Sequence, residues 1–144
     1  MLDFSTLNKV EQDFMNRDHE EAVAFLNSLQ GAVEVDDLHG VVSSLAALIS
    51  HCQAHFEREE ISMRKYSFPP YIVHKQEHDR VLMELNMIAE QLKSHGEIEK
   101  IRRYVTQEFP AWFVQHLSTM DKMTAQYLAM KQKEVTDKLV LKAV

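Results

Sequence analysis

Hydrophobic positions in this chain recur every three or four residues rather than on alternate residues, the period that lays one face of a helix against a core. Phe14, Ala22, Phe25, Leu26 and Leu29 predict a first helix from about Asn16 to Gln30, with Gly31 as its stop and an irregular arm before it. The acidic pair Asp36-Asp37 suits an N-cap and the positive end of a helix dipole. From there Val41, Val42, Leu45, Leu48, Ile49, Cys52, Phe56 and Ile61 predict a second helix to about Lys65. Pro69-Pro70 ends any helix before it and can begin the next. A third helix is expected from about Pro70 to Lys93, with Ile72, Val73, Val81, Leu82, Leu85, Ile88, Ala89 and Leu92 as core candidates. Ser94-His95-Gly96 reads as a turn, and a fourth helix follows from about Glu97 to at least Met130. Pro110 falls inside that fourth segment. It removes the backbone bond to Thr106 and crowds its carbonyl, which predicts a kink or a break.

The expected fold class is therefore all-α: an antiparallel up-down four-helix bundle with an irregular N-terminal arm and a short C-terminal helical extension. Residues 1–130 form the bundle, and residues 131–144, with mixed charged and apolar side chains, form the extension of the same domain. Composition agrees, since three glycines and three prolines in 144 residues leave little punctuation between long helices.

Charge and cysteine content narrow the function classes. The net charge is −6, from 16 basic and 22 acidic residues, which argues against non-specific nucleic-acid binding. No apolar run has the length of a membrane span, and Met1-Leu2-Asp3-Phe4 does not open a signal peptide. One cysteine, Cys52, makes no internal disulfide, so a cytoplasmic location is expected.

The chemistry concentrates in three close pairs and one single residue: His55 with Glu59, His74 with His78, His116 with Asp121, and His19 alone. Residues four apart on a helix lie on one face about 6 Å apart along the axis, so the first two pairs each aim two donors at one place. His116 and Asp121 are five apart, roughly 140° around an ideal helix. A carboxylate reaching toward a second ion, or an irregular helix, would accommodate them. Five imidazoles and two carboxylates suit a pair of metal ions. If both carboxylates and a solvent-derived oxygen bridge the ions, the histidines divide three and two. One ion is then six-coordinate and the other keeps an open position, where a small ligand such as dioxygen can bind to a redox-capable metal.

The order His, His-x-x-x-Glu, His-x-x-x-His, His-x-x-x-x-Asp resembles hemerythrin, in particular the single-domain bacterial members with an HHE cation-binding domain. So do the surrounding runs Asp18-His19-Glu20, His55-Phe56-Glu57-Arg58-Glu59-Glu60 and Trp112-Phe113-Val114-Gln115-His116-Leu117. The resemblance covers His19 to Asp121 and implies two iron ions with an oxo or hydroxo bridge. It assigns His74, His78 and His116 to the saturated iron, His19 and His55 to the open one, and Glu59 and Asp121 to both. Phe56, Trp112, Phe113 and Leu117 would line an apolar ligand pocket, with Phe113 where the family usually has leucine. The implied function is reversible dioxygen binding for storage, delivery or sensing. The alternatives are a di-iron peroxidase or oxidase, with Trp112 and Tyr127 as electron routes, and a redox sensor acting through the C-terminal tail. That tail is also the expected contact for a homo-oligomer or protein partner.

Plainer readings cover the remaining residues. His39 and His95 fall at helix starts or turns, His51 belongs beside the site or on the surface, and Cys52 is small core filler. His74-Lys75-Gln76-Glu77-His78 matches a zinc-peptidase signature by its letters, but that reading leaves five of the seven metal-type residues unexplained. A ferritin-like site needs Glu-x-x-His, and no glutamate here precedes a histidine at that spacing.

Overall fold

A computed structural model describes residues 1–143. After a short 3-10 turn at Phe4–Thr6, the chain forms helices α1 (Asp13–Glu34), α2 (Leu38–Lys65) and α3 (Tyr71–His95). The fourth arm runs through α4 (Glu99–Arg103), a π-turn at Tyr104–Glu108, α5 (Phe109–His116), a second π-turn at Leu117–Asp121, and α6 (Lys122–Ala143). Right-handed helical backbone at each junction makes this arm one continuous helix with two widened turns. The architecture is all-α, and among the described residues there is no strand.

Local contacts mark both ends of α2 and the end of α3. The Asp37 side chain accepts from the Gly40 N–H at 3.0 Å, satisfying a donor that the first turn of α2 leaves free. Gly96 takes a left-handed φ of 63° at the end of α3, and its N–H donates to the Leu92 carbonyl. At the end of α2 the Tyr127 hydroxyl reaches across to the carbonyls of Tyr66 and Ser67, at 2.9 and 3.1 Å.

Several expectations need correction. Gly31 does not stop α1; the helix runs three residues further, because Val33 is fully buried and the core still has a place for that turn. Ile61, Ile72 and Val73 are exposed rather than core, and Val42, Leu82, Ile88 and Ala89 are half-buried. Pro110 neither breaks the fourth arm nor ends it. The turn before it widens, the Phe109 N–H donating to the Tyr104 carbonyl five residues back, so the ladder has already changed register where the proline lacks its donor.

The main core combines Leu26, Leu29, Leu45, Leu48, Val81, Leu85, Ile101 and Val105, all within 1% of complete burial. Val10, Met15 and Ala125 form a smaller cluster where α1 meets α6. Past Gln132, which exchanges side-chain hydrogen bonds with Gln12, α6 leaves the bundle and exposes Val135, Leu139, Val140 and Leu141. Val144, the last residue of the expected extension, lies outside the described residues. Among the described residues no helix is long and apolar enough to cross a membrane.

Candidate metal centre

All four arms of the bundle aim polar side chains at one place. His19 comes from α1, His55 and Glu59 from α2, His74 and His78 from α3, His116 from α5 and Asp121 from the second π-turn. None of the seven is more than 5% exposed. Asp121 can join because of the π-turn. There the Lys122 N–H donates to the Leu117 carbonyl five residues back, and the extra residue in the turn returns position 121 to the face of position 116.

The carboxylate oxygens divide the histidines into two groups. Glu59 Oε1 lies 3.2 Å from His78 Nε2 and 3.5 Å from His74 Nε2, while Glu59 Oε2 lies 2.8 Å from His55 Nε2 and 4.0 Å from His19 Nε2. Asp121 Oδ1 lies 3.1 Å from both His74 Nε2 and His116 Nε2, and Asp121 Oδ2 lies 2.9 Å from His19 Nε2. Two sets of donor atoms therefore share both carboxylates, one with His74, His78 and His116 and the other with His19 and His55. Within each set the donor atoms lie no more than 4.8 Å apart.

This donor set fits cations. Glu59 Oε1, Asp121 Oδ1 and His78 Nε2 are buried with no hydrogen-bond partner among the described residues. His74 Nε2 and His116 Nε2 face each other at 3.2 Å, a contact that needs a proton or a metal between the two lone pairs. Unsatisfied buried polar atoms are costly, and converging ones mark a missing positive charge. The titration behaviour of the metal-free protein points the same way. Burial and the Asp121 charge push Glu59 up, but His55 and His78 outweigh them and bring it to about 2. Burial also pushes Asp121 up, yet the close His116 imidazole, with His19 and His74, holds it well below the ordinary carboxylate range. For His78, burial is outweighed by the close Glu59 carboxylate and the hydrogen bond to Glu60, which raise it to about 9. His19 is raised in the same way, chiefly by Asp121. Protons on His19 and His78 thus occupy the role a metal would take.

Outer contacts orient two of the site histidines, His74 and His78. His74 Nδ1–H donates to Thr124 Oγ1 at 2.8 Å, and the threonine hydroxyl passes the bond to the Met120 carbonyl. His78 Nδ1–H donates to Glu60 Oε2 at 2.9 Å. Both bonds place the remaining lone pair on Nε2, the atom facing the centre. His51 Nε2–H donates to the Asp18 carbonyl at 3.0 Å, and the Arg58 guanidinium grips the Asp18 carboxylate with bonds of 2.9 and 2.6 Å. Those contacts tie α1 to α2 beside His19 and His55. Thr124 and Glu60 had no role in the sequence reading. The available signal was periodicity: Thr124 falls eight residues after His116 on the inward face, and Glu60 directly follows Glu59.

Three of the four expected pocket residues touch histidines of the centre. Phe56 stacks on His78 with ring centroids 4.0 Å apart and planes 3° from parallel. Trp112 stacks on His116 at 4.7 Å, and Phe113 meets His19 edge-on at 5.9 Å. Leu117 is buried in the main core directly after His116. His51 is buried, His39 and His95 are exposed, and burial, aided by the Glu59 charge, pushes the Cys52 thiol up to about 12, leaving it protonated and inert.

The family of this arrangement follows from comparison with known proteins. The hemerythrin HHE cation binding domain matches residues 10–128. The chain belongs to the hemerythrin family. It is 36% identical over 113 residues to the bacteriohemerythrin of Ralstonia nicotianae, covering 78% of each chain. It is 30% identical over 122 residues to that of Aquifex aeolicus, covering 85% of this chain and 93% of the relative. A crystal structure of wild-type hemerythrin matches with a TM-score of 0.79 at 20% identity, covering 89% of this chain and 96% of that one, so the fold is that of hemerythrin.

Proposed function

We propose that this chain binds dioxygen reversibly at a pair of iron ions held by His19, His55, Glu59, His74, His78, His116 and Asp121, with a solvent-derived oxo or hydroxo bridge. Family membership and the bacteriohemerythrin relatives support a di-iron, oxygen-binding function. The observation that carries the ligand assignment is the sharing of both carboxylates between a three-histidine and a two-histidine group. His74, His78 and His116 would hold one ion, His19 and His55 the other, and Glu59 and Asp121 both. With fewer protein donors on the His19 side, that ion would be the one with room for a small ligand.

Bound iron supplies the electrons and the vacant coordination position that dioxygen needs. The protein supplies the rest. Glu59 and Asp121 keep two cations close by neutralising charge from both sides. Thr124 and Glu60 fix the tautomers of His74 and His78. Phe56, Trp112, Phe113 and Leu117 would line the centre with side chains that carry no acidic proton, keeping bulk water and proton donors away and so favouring release of dioxygen unchanged. We assign this work to residues 1–130, with residues 131–144 as a contact surface for another copy or a partner.

The test begins with the reduced protein under anaerobic conditions. Admitting air should produce an oxygen-dependent visible charge-transfer absorption, and removing oxygen should abolish it. A protein that binds no metal, or one zinc per chain, overturns the proposal.

A further inference from the structure

Three of the five site histidines, His19, His55 and His116, have a buried Nδ1 with no hydrogen-bond partner among the described residues. His74 and His78 differ, since Thr124 and Glu60 hold their Nδ1 atoms. An imidazole turns over a broad range about its outer torsion, so contacts other than a hydrogen bond have to fix where His116 Nε2 points. The surroundings of the three rings are unequal. His19 and His55 meet neighbouring rings only at interplanar angles of 52° or more. His116 has a nearly parallel partner.

That partner is Trp112, one turn earlier on α5, and positions four apart share a helix face. Its indole plane lies 20° from the His116 plane with centroids 4.7 Å apart, which leaves the imidazole little room to tilt. The indole is held in its turn. Its N–H donates to Glu77 Oε1 at 2.7 Å, and the Arg80 guanidinium donates to both Glu77 oxygens, at 2.7 and 3.0 Å. Glu77 stands on α3 directly before His78. A chain of contacts therefore runs from Arg80 through Glu77 and Trp112 to His116, tying α3 to α5 beside two members of the three-histidine group. Charge favours the same arrangement. An imidazole made positive by a proton or a bound ion is attracted to an aromatic face, and tryptophan offers the strongest one. A carboxylate accepting the indole N–H makes the stronger, charge-assisted kind of hydrogen bond.

We propose that Glu77 and Trp112 are positioning residues for His116: the carboxylate fixes the indole, and the indole fixes the plane in which Nε2 meets the centre. The inference rests on the ligand assignment above. It gives Trp112 a task besides lining a pocket, and it gives a half-buried glutamate outside the donor set a part in metal binding.

The test uses the full-length chain with and without iron. In the metal-free protein, NMR should show a nuclear Overhauser contact between the Trp112 and His116 rings and indole ring-current shifts on the His116 ring protons. Glu77→Leu should weaken that contact and move those protons toward their positions in Trp112→Leu. Glu77→Gln, which keeps an acceptor oxygen, should match the parent. In the iron-loaded protein, retention against a competing chelator should fall about tenfold in Glu77→Leu and in Trp112→Leu, and stay within about twofold in Glu77→Gln. Trp112→Phe keeps a ring but offers Glu77 no N–H, so adding Glu77→Leu to it should cost nothing further. A general loss of stability would add in both backgrounds. Additive effects, or an unchanged ring contact in Glu77→Leu, would overturn the inference while leaving the di-iron reading intact. A chain that binds no metal would overturn the proposed function, and His116 as a ligand to be positioned would go with it.

Discussion

Thr124 shows how much a single hydroxyl can control. Its side chain is fully buried, accepts from His74 Nδ1 and returns its own proton to a backbone carbonyl. Thr124→Val keeps the shape and deletes both bonds. Outer partners of metal-bound histidines typically carry a factor of about 10–100 in metal affinity, so iron retention against a competing chelator should fall by that order. Unchanged retention would show that packing alone orients His74. The imidazoles also set the pH dependence. A metal ligand must be deprotonated, and in the metal-free protein His78 is raised to about 9 by Glu59 and Glu60 after burial has opposed them. Iron loading at neutral pH should therefore release protons, and apparent affinity should climb with pH until about 9. The linkage sign for the metal-free fold is opposite. Protonated His78 stabilises it fully below the ordinary histidine value, and that stability is lost as pH rises through 9. Calorimetric titration in buffers of different ionisation enthalpy checks the first claim, and thermal melts across that pH range check the second.

At the scale of elements, the π-turn at Leu117–Asp121 decides whether the carboxylate reaches the centre. Deleting Thr119, which is exposed, should convert it to an ordinary α-turn and swing Asp121 roughly 100° away. Iron content should drop below two per chain while circular dichroism still reports a helical protein; two retained irons would refute this role for the turn. Because the deletion also rotates Ala125 and Leu128 out of the core, a lower melting temperature is expected alongside. The sequence carried the helices well: Asp37, Pro70 and Gly96 punctuate them through local chemistry that a one-dimensional pattern records. It carried α1 less well, since whether Gly31 ends a helix depends on the core waiting for Val33. Ile72 and Val73 are apolar by letter yet exposed, because a side chain's apolar character does not by itself decide which face of α3 meets the core. The widened turns were legible only indirectly, as a five-residue gap between His116 and Asp121 and as a proline inside a helix. A π-turn shifts the register without changing composition, so periodicity blurs and does not announce it. Within the site, the seven donor-type residues stood out by spacing, whereas Thr124, Glu60 and the Arg58–Asp18–His51 brace depend on contacts between helices far apart in sequence.

At the scale of the whole molecule, the bundle and its extension should separate functionally. Beyond the Gln12–Gln132 contact, residues 133–143 are exposed without exception. Removing them should leave iron content and the oxygen-dependent spectrum as they are. If removal also abolishes an association seen by light scattering, the tail is the contact surface; if it destroys iron binding, the division of labour proposed here is wrong. The seal around the centre has a kinetic consequence. Seven donors that are almost completely covered give a hydrated cation little direct access, so passage of an ion should depend on local opening of the bundle. Exchange of bound iron for free iron should then keep pace with the hydrogen exchange of amides near the donors rather than with chelator strength. A metal weakly preferred at equilibrium could remain trapped for as long as the helices stay closed, and the speciation of a purified sample would record its history at folding.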